Sequence, residues 1–258
     1  MIALGYSLAL VIGLSLGLLG GGGSILTVPV LHYVLGYDVK VAVPMSLVVV
    51  GLTSAAGSIA HWRAGTLHAR TALAFGPPAV LGALLGAELG LQATPSLQLT
   101  VFALAMLAAA VAMYFGPALS ALSPRPPSDG GAPAGQEGSR RLPLVPLVGA
   151  LVGLLTGFVG VGGGFLYVPA LIALGGLAVK EAIGTSLVLI MLSCIAAVAR
   201  YHGNTQMDWR TIAIFCALAF LGVGVGSRLS PHVPNHVLRR GFAVLLFVMG
   251  ALVLLRGR

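Results

Sequence analysis

Two glycine-rich motifs carry the residue types that point most clearly to binding chemistry. The first runs GLLGGGGSILTVPVL from Gly17 to Leu31, and the second runs GFVGVGGGFLYVPAL from Gly157 to Leu171. In each motif an apolar stretch ends in a glycine run, and a short apolar stretch with a proline follows. Such a break creates a new helix N-terminus, whose unpaired N–H groups and partial positive charge attract anions. The motifs therefore predict one anion site to which each half of the chain contributes a break.

The glycines have a second interpretation, which is that they only allow membrane helices to pack closely. We favour binding because four consecutive glycines are matched by a second run and each run is followed by a proline. A phosphate-binding P-loop is excluded because neither run is followed by Gly-Lys-Ser/Thr. Hydroxyl groups near the breaks could donate to an anion, although each could instead bond to its own helix. The predicted substrate-binding residues are Gly21, Gly22, Gly23, Ser24, Ser46, Gly162, Gly163, Gly164, Thr185 and Ser186.

Four ionisable residues are candidates for coupling or gating. His61 and His202 lie near the ends of corresponding apolar segments, where a histidine could carry a proton or simply sit at the membrane surface. Glu88 and Arg228 are 140 residues apart and occupy equivalent positions in the two halves. Charged residues inside a membrane are usually paired or functional, so we expect these two to pair. The alternative is that both lie at the level of the lipid headgroups.

The elements that position these residues are membrane helices. Hydrophobic residues make up 58% of the 258 positions and charged residues only 8%, against about 25% in a soluble domain. Most apolar segments are long enough to cross a bilayer, but 24–36 and 165–177 are too short and predict half-helices or re-entrant pieces. The segments are 4–19, 24–36, 42–60, 72–91, 97–119, 143–159, 165–177, 182–199, 211–229 and 238–255. The chain is therefore predicted to be an all-α polytopic membrane protein.

The remaining composition excludes several other classes of site. The net charge of +8 arises mainly from basic residues at segment ends, which is typical of lipid-headgroup anchors rather than of nucleic-acid binding. Cys194 and Cys216 fall inside apolar segments and are expected to be buried hydrophobic residues. We expect no metal and no cofactor. The expected partners are membrane lipid, a small anionic substrate and a second copy of the chain in a homodimer.

An internal repeat appears when the chain is compared with itself at an offset of 140 residues. Eight glycines of the first half then meet glycines of the second, where chance would give about two, and Pro29 meets Pro169. The expected organisation is a first transmembrane repeat at 1–119, a polar Pro/Gly-rich cytoplasmic linker at 120–142 and a second repeat at 143–258. Each repeat would have four or five helical segments. Basic residues divide five against nine for either number of crossings, so the positive-inside rule does not decide the orientation. We expect inverted repeats, because a short half-helix after a glycine break suits a hairpin.

The doubled motif, the short apolar units and the polar central linker resemble the sulfite exporter TauE/SafE family over essentially the whole chain. The resemblance implies a secondary transporter that moves a small sulfur-containing anion, such as sulfite, thiosulfate or an organosulfonate. It also implies a multi-pass location in the inner (plasma) membrane. Alternating access between the two units would carry the anion, with the glycine breaks cradling it. The second glycine run departs from the pattern at Val161, so the two half-sites need not be chemically equivalent.

Other functions remain as alternatives. One is an anion channel, and another is a membrane partner subunit that does not itself transport. An intramembrane enzyme is not expected, because the chain has no H-E-x-x-H metalloprotease string. A serine hydrolase would also need a histidine close to its serine. The only histidine in the same segment as a serine near a glycine run is His32.

Overall fold

The protein is helical wherever its structure is described. The computed structural model describes residues 2–19, 24–121, 144–201, 203, 205–229 and 235–256, and every regular element in those ranges is a helix. The helices are α1 Ile2–Leu19, α2 Ser24–Pro29, a π-helical turn Val30–Val34 that continues α2, α3 Val39–Arg63, α4 Ala69–Gln92, α5 Pro95–Ala121, α6 Leu144–Val159, α7 Gly164–Ala173, α8 Val179–Tyr201, α9 Trp209–Leu229 and α10 Asn235–Arg256. The prediction of an all-α protein is confirmed.

Several of these helices suit a bilayer. Among the described residues, α3, α4, α8 and α9 are long and apolar enough to cross a membrane, and five shorter apolar helices accompany them. Large apolar side chains such as Leu81, Leu85 and Leu221 are exposed on the outside of the protein. An apolar exterior of this kind is stable only against lipid. The protein is therefore embedded in a membrane.

Helices α1 and α9 pack with their backbones in direct contact. A Cβ atom added at Gly13 would overlap the backbone of Ala219, and one added at Gly17 would lie 2.6 Å from the carbonyl oxygen of Val223. Small residues are what allow two membrane helices to approach this closely. Because Gly13 meets Ala219 and Gly17 meets Val223, the residue numbers rise together and the two helices run parallel.

Helices α4 and α6 form a second contact of the same kind. Gly153 lies against the backbone of Ala79, and Gly157 lies against the backbone of Ala83. From the other side, Gly86 lies against the backbone of Leu154. These two helices therefore also run parallel. We call the α1–α9 and α4–α6 contacts the seams.

Helices α3 and α8 cross at the centre of the protein and run antiparallel. A Cβ atom at Gly51 would lie 3.0 Å from the Cβ of Cys194, and one at Gly57 would lie 3.1 Å from the side chain of Leu187. The residue numbers of α3 therefore rise as those of α8 fall. This α3–α8 crossing depends on side-chain contacts, unlike the seams.

Two short helical segments run in the opposite direction to the longer helices on either side of them. Helix α3 runs parallel to α9, because Tyr37, just before α3, contacts Thr211 near the start of α9, and Gly57 lies near Val223 further along both helices. Since α1 is also parallel to α9, the segment 24–34 between α1 and α3 must run back. Its 11 residues span about 16 Å, roughly half of a bilayer core. Helix α7 plays the same part between α6 and α8.

Candidate functional site

The glycine break between α6 and α7 is held inside the protein. Gly160, Gly162 and Gly163 have φ angles of 79°, 68° and 64°, a left-handed backbone that glycine adopts without steric cost. All described side chains and glycines from 159 to 164 are buried. A broken helix in the bilayer must be buried in protein or line a wet cavity, and this one meets that requirement. The break predicted from the second motif is confirmed.

The carbonyl groups at the end of α6 are satisfied by three other helices. The Tyr201 hydroxyl from α8 donates to the carbonyl oxygen of Gly157 at 3.2 Å. The Gln98 Nε2 from α5 donates to that of Phe158 at 2.9 Å. The Ser46 hydroxyl from α3 donates to that of Gly160 at 2.7 Å. Helix ends inside a membrane need such partners. We call the break, these three side chains and the α3–α8 crossing the polar centre.

The donor side of the break is built differently. Helix α7 begins at Gly164, and its N-cap residue Gly163 makes no side-chain capping bond. The N–H groups of Leu166 and Tyr167 already bond back to the carbonyl oxygen of Gly163. The N–H groups before them have no partner within the helix. Three carbonyl groups of the break are therefore bonded by side chains, whereas the N-terminus of α7, with its partial positive charge, lies in the polar centre.

The structure brings some of the predicted binding residues together at this break. Ser46 lies against Gly160, and Gly162, Gly163 and Gly164 form the break and the start of α7. Ser24 is fully buried at the start of α2. Gly21, Gly22 and Gly23 lie outside the described residues. Ser46 reaches the site, but its proton is already donated to the protein backbone.

The two remaining predicted hydroxyls bond elsewhere. The Thr185 hydroxyl accepts a hydrogen bond of 3.1 Å from the backbone N–H of His68, in the connection between α3 and α4. The Ser186 hydroxyl donates to the carbonyl oxygen of Ile183 at 2.8 Å, within its own helix. Thr185 is therefore grouped with the α3–α4 connection rather than with the break at Gly160.

His61 lies next to this connection near the end of α3. Its Nδ1 is 2.9 Å from the Thr66 hydroxyl, which also donates to the carbonyl oxygen of His61. Its Nε2 is buried and has no hydrogen-bond partner in the described part of the chain. A buried ring nitrogen of this kind could take up a proton, so the coupling role stays a prediction. His202 lies outside the described residues.

The predicted pairing of Glu88 with Arg228 is wrong. Glu88 forms an ion pair with Arg200 of α8, and Arg228 is exposed on α9. The physical reason is the packing of α4, which contacts α6 and α8 and runs parallel to α8. This arrangement carries Glu88 to the end of α8, where Arg200 lies. Equivalent positions in the two halves therefore need not be neighbours.

Several residues that position the site were not predicted. Gln98 and Tyr201 cap the end of α6, and Lys40 donates to the carbonyl oxygens of Gly90, at 2.7 Å, and Leu91, at 3.1 Å, at the end of α4. A glutamine inside the apolar segment 97–119 was a signal that could have been used, since buried amides need partners. Lys40 and Tyr201 carry no comparable signal, because their roles depend on which helix ends lie nearby.

The sequence contains a serine-hydrolase motif, but its residues do not adopt the structure that this motif requires. Residues 13–17 read GLSLG, which fits the G-x-S-x-G spacing of a nucleophile elbow. That motif requires a sharp turn between a strand and a helix. Here the five residues lie within α1, and Gly13 and Gly17 pack against α9. The glycines serve the seam.

Comparison with known proteins identifies the chain over almost its whole length. The family model described as "Sulfite exporter TauE/SafE" matches residues 6–253. A "Probable membrane transporter protein" of Xylella fastidiosa (strain Temecula1) is 33% identical over 248 residues, which cover 95% of this chain and 92% of the relative. The "Probable membrane transporter protein YunE" of Bacillus subtilis (strain 168) is 24% identical over 264 residues, covering 97% and 96%. No solved structure gives a significant match. The chain therefore belongs to the sulfite exporter TauE/SafE family of membrane transporters.

Proposed function

We propose that the protein is a secondary transporter of the inner (plasma) membrane that carries a small sulfur-containing anion by alternating access. The substrate would be sulfite, thiosulfate or an organosulfonate. The family supports transport in general, and its description names sulfite. The chemistry of the polar centre supports an anion in particular.

The observation that carries this proposal is the asymmetry of the glycine break. Three side chains from α3, α5 and α8 satisfy the carbonyl groups at the end of α6. The N-cap residue of α7, Gly163, has no side chain that could cap the helix. Three of the carbonyl oxygens that a cation would need already accept hydrogen bonds, whereas an anion needs the N–H groups and the positive end of the helix dipole.

The helix contacts support inverted repeats. An offset of 140 residues turns the contact of Gly13 with Ala219 into that of Gly153 with Ala79. The same offset exchanges the two seams and maps the α3–α8 crossing onto itself. Each unit then has five segments that alternate in direction, and an odd number places the second unit upside down. Substrate sites between such repeats lie near the middle of the membrane.

The charged residues of the spanning helices favour flux driven by the membrane potential. Among the described helices, Glu88 is paired with Arg200, and Glu181 accepts a hydrogen bond from the N–H of Ala178 at the start of α8. Neither is a free carboxylate at the centre, which a sodium- or proton-coupled carrier usually has. A negative interior drives an anion outward by about 2.3 kcal/mol per charge per 100 mV.

An uptake assay in proteoliposomes tests this function. Purified protein is reconstituted, and entry of radiolabelled sulfite, thiosulfate and ethanesulfonate is followed at several concentrations. We expect saturable uptake of at least one anion, accelerated when the same unlabelled anion is inside the vesicles. Protein-free vesicles and vesicles with a heat-denatured sample are the controls.

The outcomes separate the alternatives. Flux that neither saturates nor responds to internal anion would indicate an anion channel. If none of the three anions enters while the protein remains monodisperse, the substrate assignment is wrong. A partner subunit without transport activity would then be the better interpretation.

A further inference from the structure

Two buried hydroxyl groups have no hydrogen-bond partner among the residues that the structure describes. They belong to Thr27 on α2 and Ser54 on α3, and both side chains are 0% exposed. Leaving a buried donor unsatisfied destabilises the folded state, and native proteins keep few such groups. Each therefore needs an explanation.

Other buried hydroxyls avoid this cost by bonding to their own helix. Thr53 and Ser58 do so on α3, at 2.7 Å to Val49 and 2.8 Å to Ala55. Thr156 does so on α6, at 2.8 Å to Val152. This is the usual behaviour of serine and threonine in membrane helices. Thr27 and Ser54 depart from it, so their hydroxyls are left available.

Ser54 lies at the polar centre. It is three residues beyond Gly51, which meets Cys194 at the α3–α8 crossing. It is also one helical turn beyond Val50, whose side chain lies where a Cβ of Gly162 would be. Residues one turn apart share a helix face. The face of α3 that carries Ser54 is therefore the face that meets the glycine break.

Thr27 is a position at which the first half differs from the second. Its counterpart at the 140-residue offset is Tyr167, whose hydroxyl is 2.7 Å from that of Ser193 on α8. In the second half, a hydrogen bond between the tyrosine and the serine thus joins α7 to α8. In the first half the shorter Thr27 makes no such bond. Tyr167 is therefore satisfied without a ligand, whereas Thr27 has no partner among the described residues.

We propose that Thr27 and Ser54 donate hydrogen bonds to the transported oxyanion, which binds on the first-half side of the polar centre. This inference rests on the proposed function. It adds two binding residues and states on which side of the polar centre the anion binds. Oxygen atoms of a sulfur oxyanion are acceptors that a hydroxyl can match. A bond to a charged acceptor is stronger than one between neutral groups. The bound anion would therefore satisfy the two groups that the empty protein leaves without partners.

Variants that remove each hydroxyl test the inference. We compare Thr27→Val and Ser54→Ala with Thr53→Val and Ser58→Ala, which remove hydroxyls that bond within α3. The readouts are the KM for whichever of sulfite, thiosulfate and ethanesulfonate the wild type transports, and the melting temperature without anion. We expect KM to rise about tenfold or more for Thr27→Val and for Ser54→Ala, and to change less than about twofold for the controls. Thr27→Ser, which keeps the hydroxyl, should restore the wild-type KM.

The melting temperature distinguishes binding from a structural role. Removing a hydroxyl that the empty protein leaves unsatisfied should leave the melting temperature equal to or above that of the wild type. A fall in melting temperature with an unchanged KM would overturn the inference, because the hydroxyls would then stabilise the fold. Wild-type transport with KM unchanged in both variants would overturn it while the proposed function stands. Absence of wild-type flux for all three anions would overturn the proposed function and this inference with it.

Discussion

The seams and the polar centre are built by opposite means. In the seams, glycines bring two backbones together, as where Gly13 meets Ala219 and Gly153 meets Ala79. In the polar centre, side chains from distant helices bond to backbone groups that have no partner within their own helix, as where Gln98 donates to the carbonyl oxygen of Phe158. The seams hold helices by close packing, which is the main attraction between helices in lipid. The polar centre holds them by hydrogen bonds, which can be exchanged for others. A transporter needs both a fixed frame and a part that can rearrange.

The largest expected effect comes from placing a side chain in a seam. A Cβ at Gly222 would overlap the backbone of α1 near Leu10 and Leu14, whereas one at Gly224 would meet nothing within 4 Å. We expect Gly222→Leu to destabilise the protein by more than about 3 kcal/mol, because neither backbone can move aside. Gly224→Leu is the matched control on the same helix and should behave like the wild type. The yield of monodisperse protein and the melting temperature measure the difference. Equal stability of the two variants would mean that α1 and α9 are not in backbone contact.

The next largest effect lies in the polar centre. Gln98→Leu leaves the buried carbonyl of Phe158 without its donor, which should cost about 1–3 kcal/mol. Gln92→Leu, on the exposed end of α4, removes an amide that bonds only to Glu88 among the described residues and should change stability by less than about 0.5 kcal/mol. Thermal unfolding in detergent compares the two. If Gln98→Leu is as stable as Gln92→Leu, the hydrogen bonds of the polar centre do not support the break.

A smaller effect is expected at the partly buried link between Tyr37 and Asp208. The Tyr37 hydroxyl donates to the carboxylate at 2.6 Å, and Thr211 donates at 2.8 Å. The bond from Tyr37, followed by those from Thr211, lowers the pKa of Asp208 from 3.8 to about 2. The pKa of Tyr37 is raised, first by burial and then by this bond. The contact is therefore electrostatic, unlike either the seams or the polar centre.

The pH dependence of Asp208→Asn measures this link. Because the folded pKa lies below the unfolded value, the carboxylate adds stability above about pH 3.8 and loses it as the pH falls through about 2. We expect the variant to melt below the wild type at pH 7, with the difference vanishing between these two pH values. Tyr37→Phe should show a smaller loss over the same range. A difference that persists unchanged at pH 2 would show that the ionised form does not stabilise the fold.

The smallest effect is expected for the ion pair of Glu88 with Arg200. The side chains are 38% and 45% exposed, and exposed pairs contribute about 0–1 kcal/mol. We expect Glu88→Gln to lower the melting temperature by less than Gly222→Leu, Gln98→Leu or Asp208→Asn does. The charge-exchanged protein with Glu88→Arg and Arg200→Glu should recover most of any loss. Failure of this exchange to recover any loss would indicate that the pair does not form.

Much of the helix pattern could be predicted from the sequence, because apolar segments in a membrane have few alternatives to helices. The segments 72–91 and 182–199 correspond to helices at 69–92 and 179–201. The break after Val159 followed from the glycine run. Family membership followed from the doubled motif and is confirmed by the match over residues 6–253.

The contacts between helices could not be predicted, because composition does not say which faces meet. Glu88 illustrates this, since its pairing with Arg200 depends on the parallel packing of α4 and α8. Thr27 belongs to the first motif, but its residue type does not mark it as special. That its hydroxyl lacks a partner is a property of its surroundings, which the sequence does not describe.

The seams also determine which parts of the protein can move as one body. Each seam joins a helix of the first half to a helix of the second, so the halves are interlocked rather than stacked side by side. A hinge motion that separates the two halves would have to break both seams. In the alternating-access cycle proposed above, the mixed pairs α1 with α9 and α4 with α6 would therefore move as rigid bodies. Access to the centre would change as these pairs tilt about the α3–α8 crossing.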